Sequence, residues 1–192
     1  MKKLVFTLAV CAIILAPHLA RAQAWMAGVN TAIQNGKYED VDRIAANNPG
    51  AQGAIALYLL QQAQSLSSSN FDKAADIFAT ATPFVSQIPA DGVGQAVQLI
   101  TVMLNAADVA SAGGTGCAGA SKIFTSGIGM STQANISAQS SGLRGTALSS
   151  AQTAIKSNSD CETDSLDDQI SLAQQPIAPL AGVHGAIVPS ND

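Results

Sequence analysis

Ile55-Ala56-Leu57-Tyr58-Leu59-Leu60-Gln61-Gln62-Ala63-Gln64-Ser65-Leu66 places large apolar side chains on nearly every face of a helix. A helix that is apolar almost all round has to be surrounded, so this stretch predicts a central helix buried on several sides. The flanking sequence repeats the helical spacing. Trp25, Val29 and Ile33 form one stripe, closed by Asn35-Gly36. Tyr38, Val41, Ile44 and Ala45 form the next, closed by Asn47-Asn48-Pro49-Gly50. On the other side, Asn70 is placed to cap a helix that turns Phe71, Ala74, Ala75, Ile77, Phe78 and Ala81 inward. Pro83 should kink or interrupt that helix before it runs on toward Gln87. A fifth helix is expected from about Gly92, carrying Val93, Ala96, Val97, Leu99, Ile100, Val102, Met103 and Leu104. The period-2 alternation of strands is missing throughout, and the expectation is a single all-α domain of stacked helical hairpins with seven to nine helices.

Beyond Ala112 the composition changes. Gly113 to Gly119 reads as a glycine-rich loop, and residues 125–159 are dominated by Ser, Thr, Gly, Ala and Gln. Short helices are expected at Cys117 to Phe124, Gln133 to Gln139 and Leu143 to Lys156, joined at Gly127-Ile128-Gly129 and Ser140-Ser141-Gly142. One more amphipathic helix is expected from Asp164 to Gln174 through Leu166, Ile170 and Leu172. Faces built from small residues promise little hydrophobic gain. The organisation read from the chain is a leader over 1–24, a helical-hairpin region over 25–112, a stapled small-residue region over 113–175 and an extended tail over 176–192.

The leader carries the signs of a secretory signal peptide: Lys2-Lys3, an apolar run from Leu4 to Leu15, Pro17, and small residues at Ala20, Ala22 and Ala24. The apolar run is shorter than the roughly 20 residues a spanning helix needs. Cleavage after Ala22 or after Ala24 fits equally well. Processing removes Lys2, Lys3 and Arg21, three of the nine basic residues; six then face 13 acidic ones, and net charge moves from −4 to −7. That balance disfavours phosphate backbones and anionic lipid surfaces as partners. No later stretch reaches 18 consecutive apolar residues, so no membrane span is expected, and the localisation reads as periplasmic or secreted, in a bacterium.

Cys117 and Cys161 are the cysteines left after processing. In an exported chain they most simply form one disulfide, the alternatives being free buried thiols or a bond to another chain. A redox role would usually want a Cys-x-x-Cys pair, which is absent. The one remaining histidine, His184, sits in the tail, a poor place to hold an imidazole against a nucleophile. Gly114-Thr115-Gly116-Cys117-Ala118-Gly119 matches the dinucleotide-binding pattern, but it follows a helix-like run where that motif needs a strand. The acids Asp160, Glu162, Asp164, Asp167 and Asp168 lack the glycine and bidentate acid of a calcium loop, and several suit the first turn of the following helix. No catalytic residues, metal ligands or cofactor are assigned.

An internal echo links Tyr38-Glu39-Asp40-Val41 with Phe71-Asp72-Lys73-Ala74, 33 residues apart. With Phe71, Ala74, Phe78 and Ala81 at its packing positions, the later segment resembles the second helix of a tetratricopeptide-type hairpin. The resemblance covers about a quarter of the chain and departs at Gln61-Gln62, where that family has a leucine and a small residue. It implies a helical-hairpin groove for a protein partner, with Tyr58, Phe71, Phe78 and Phe84 as the candidate lining residues. Helical periodicity favours core packing for the aromatics over a carbohydrate platform. The functional expectation is thus an exported, non-catalytic protein of interaction or envelope structure, with an unknown protein partner in the cell envelope. The alternative is a periplasmic binding protein for a small apolar ligand, held where Ala- and Gly-rich helices leave a cavity beside large apolar ones.

Overall fold

A computed structural model describes residues 24–174 except 115, 159, 160 and 162. The expected signal peptide over 1–24, save its last residue Ala24, the expected tail with His184, and Asp160 and Glu162 lie outside the described residues. Among the described residues the chain is all-α, without a strand. The first helix, α1, spans 24–35. It is followed by α2 (Glu39–Asn47), α3 (Gln52–Leu66), α4 (Phe71–Ala81), α5 (Ala90–Ala112), α6 (Cys117–Ser131), α7 (Ala134–Gln139), α8 (Leu143–Ser157) and α9 (Asp164–Gln174).

The expected punctuation takes recognisable chemical form. α1 ends where Gly36 adopts φ 67°. The Lys37 and Gly36 amides donate back to the Ala32 and Ile33 carbonyls, the paired bonds of a Schellman cap. The Asn70 side chain accepts from the Lys73 amide at 3.2 Å and starts α4. Pro83 converts the continuation of α4 into a 3-10 segment, Thr82–Gln87. The side-chain amide of Asn135 donates to the Val85 carbonyl at 2.9 Å, tying the end of that segment to α7.

α3 lies against α2, α4, α5 and the 3-10 segment, with Ile55, Leu59 and Leu60 fully buried, as its all-round apolarity requires. α5 has the length and hydropathy that membrane-crossing helices also show. Here it packs on α3, α6, α7 and α8 through Val93, Ala96, Leu99, Ile100, Met103, Leu104 and Ala107.

The second half departs from expectation. Gly127-Ile128-Gly129 is not a joint: α6 runs through it to Ser131 and packs against α4, α5, α8 and α9. Its Ile123, Phe124, Ile128 and Met130 are fully buried, each side chain contributing roughly 1.5–3 kcal/mol relative to exposure. The glycines explain the continuity. A Cβ at Gly127 would stand 2.8 Å from Leu104 on α5, and one at Gly119 would stand 2.9 Å from the Phe71 ring on α4. Where two helices approach this closely, glycine gains packing that outweighs its roughly 1 kcal/mol cost in helix propensity.

Candidate functional site

Small residues bring α4 and α6 together on one side and leave a cleft of about 620 Å³ on the other. On α6, Ala118, Ser121, Lys122 and Thr125 recur at i, i+3, i+4 and i+7 and make one wall, with Ser126 beside them. On α4, Asp76, Ala79 and Thr80 make the facing wall by the same spacing. Tyr38, just before α2, and Thr163, just before α9, complete the lining.

The polar groups are arranged unevenly around this space. The Lys122 Nζ donates to Asp76 Oδ1 at 2.6 Å, and both side chains keep substantial exposure, which places the ion pair at the rim. Ser121 is buried and its hydroxyl bonds the Thr163 hydroxyl at 2.8 Å. Thr163 also accepts from the Leu166 amide and so caps α9. The Thr80 hydroxyl donates to the Asp76 carbonyl of its own helix at 2.8 Å. Ser126 is 9% exposed and makes no hydrogen bond among the described residues. Burial, and secondarily the Asp76 carboxylate, push the Tyr38 phenol above its ordinary pKa. Loss of water disfavours the phenolate, and a nearby negative charge disfavours it further.

Cys117 and Cys161 are bonded across 44 residues. Cys117 opens α6 next to Ala118, and Cys161 stands two residues before Thr163, so the bond holds two parts of the cleft lining in one place. The group Gly114 to Gly119 spans the turn between α5 and α6 and the first residues of α6, and serves packing: Gly114 turns at φ 72°, and Gly116 and Gly119 make room for Ala110 and Phe71. Among the described residues no three His, Cys, Asp or Glu side chains come together.

The four aromatics expected to line a partner groove do not share an open surface. Phe78 is fully buried and Phe84 is 8% exposed, both in the core. Phe71 is half-buried, with its ring over Gly116 and Gly119. Tyr58 is half-buried, meets the Trp25 ring edge-on at a centroid distance of 6.0 Å, and donates its hydroxyl to the Asn30 side chain. Sequence reasoning missed the cleft residues themselves. Their only signal was a stripe of Ala, Ser and Thr at helical spacing on a segment expected to form two short pieces.

No family model matches the chain, and neither does any curated protein or solved structure.

Proposed function

We propose that this is an exported, non-catalytic binding protein that holds a small, largely apolar molecule in the cleft between α4 and α6. The observation that carries the reading is the cleft's construction: about 620 Å³ of space between helices, lined by alanine and threonine side chains, with a few convergent polar groups. The leader sequence and the disulfide both support work in an oxidising compartment outside the cytoplasm. The test is native mass spectrometry of the protein recovered from such a compartment, beside an Ala118→Trp variant. Ala118 is exposed on the cleft wall, so an indole there fills the space without entering the core. A bound mass present in the wild type and absent from a normally folded Ala118→Trp protein is expected. A preparation that carries no such mass, or one that the indole leaves in place, would sink the reading.

A second reading, contact with a protein partner in the envelope, has its own support. Val102 and Val109 are exposed, 39% and 77%, and lie seven residues apart on one side of α5. Replacing Val109 with Lys should abolish crosslinking to a partner through that side while leaving the cleft's ligand bound.

A further inference from the structure

We propose that the α4–α6 cleft selects an uncharged molecule, an apolar body carrying one hydroxyl or carbonyl group that hydrogen-bonds to the Ser126 hydroxyl. This rests on the cleft being a ligand site and adds the chemical class of the ligand.

The first argument is charge. The charged side chains in the lining are Asp76 and Lys122, and each already has its counter-ion at 2.6 Å. A ligand carboxylate would gain from Lys122 and lose against Asp76, and a ligand ammonium would meet the reverse. Either must also shed its own water, a cost that a single rim charge of opposite sign, already shared, does not return. Tyr38 adds no charge, since its phenol holds its proton through the neutral range. An uncharged molecule loses none of this and gains from every apolar contact.

The second argument is the unfilled hydrogen bond. Ser121, the other deeply buried hydroxyl of the lining, is paired with Thr163, and Thr80 is paired with its own helix. Ser126 has no partner among the described residues although nine-tenths of it is buried. The Ser126 oxygen keeps contact with the open cleft, so a ligand that covers it without offering a partner would cost roughly 1–3 kcal/mol, and one that brings a hydroxyl or carbonyl avoids that cost. The serine hydroxyl both donates and accepts, so it suits a ligand hydroxyl or carbonyl equally.

The test holds the apolar body fixed and changes only the polar group. Adamantanol, adamantanecarboxylate and adamantylammonium are titrated into the full processed protein, with affinity read by calorimetry and location by backbone amide shifts. Adamantanol is expected to bind at least about tenfold tighter than either charged relative, with the shifts centred on Ala79, Ala118 and Ser126. Ser126→Ala is expected to weaken adamantanol about three- to tenfold and to leave any weak binding of the charged relatives unchanged. The wild-type series decides the matter even if the variant folds poorly. Equal or tighter binding of a charged relative in the cleft would overturn the selection for uncharged ligands and leave the cleft reading standing. No binding by any of the three, or shifts confined to another part of the surface, would overturn both.

Discussion

A Cβ placed on Gly53 in α3 would overlap the carbonyl oxygen of Gln87 and stand 2.8 Å from its carbon and 2.9 Å from the Ile88 Cα. The obstacle is backbone, held in turn by the Ile88 amide on the Val85 carbonyl and by Asn135, so it cannot swing aside as a side-chain tip would. Gly53→Ala should therefore destabilise the protein by about 2–4 kcal/mol, against the usual gain from alanine in a helix. Gly50 meets nothing within 4 Å and serves as the comparison: Gly50→Ala should change stability by less than about 1 kcal/mol. Urea unfolding of both variants checks the pair, and equal midpoints would contradict the close approach.

Phe78 and Phe71 belong to the same helix, and their burial separates them. Phe78→Ala removes a fully buried ring and should cost about 3–5 kcal/mol. Phe71→Ala removes a half-exposed ring whose inner face covers Gly119, and about half that loss is expected. The same unfolding measurement gives both values; a larger loss at Phe71 than at Phe78 would show that the ring over α6 matters more than its exposure implies.

The reach of the sequence follows from where the energy lies. In α1 to α5 the core is made of large apolar side chains at helical spacing, and Gly36 and Asn70 mark the end of α1 and the start of α4, so periodicity and punctuation expose both. In α6 the decisive property is the absence of side-chain volume at Gly119 and Gly127, which is favourable only because Phe71 and Leu104 fill the space. Local propensity reads those glycines as breaks, and the partners that reverse that preference are 48 and 23 residues away in sequence. The cleft was hidden for the same reason, because its wall is the outer stripe of that helix. The cysteine pairing was legible, since two cysteines remaining in a chain expected to be exported have one simple use.

Reducing the Cys117–Cys161 bond frees a closed loop of 44 residues in the unfolded chain and should lower stability by about 2–4 kcal/mol. The loss should also reach the cleft, since the bond anchors Thr163 beside Ser121 and holds the start of α9 against α6. A Cys117→Ser, Cys161→Ser double variant should melt earlier than the wild type, while the wild type in a dithiol reductant should match it. Unchanged melting in both cases would mean that α8 and α9 are held by their apolar contacts alone.

Tyr38 gives the protein a dependence on alkaline pH with a defined sign. Its phenol is displaced upward from 10.0, first by loss of water and then by Asp76. The unfolded chain lets the proton go at the lower, ordinary value, so ionisation favours the unfolded state. The stabilising contribution is whole below that value and is lost as pH rises through the higher value of the folded protein. Tyr38→Phe keeps the ring and removes the proton, so the variant's stability should fall less steeply above about pH 10 than the wild type's. Asp76→Asn removes the second cause and leaves burial, so the Tyr38 midpoint, followed by phenolate absorbance, should move down part of the way toward 10.0. Parallel stability curves for wild type and Tyr38→Phe would show that the phenol meets water more freely than its place in the cleft wall requires.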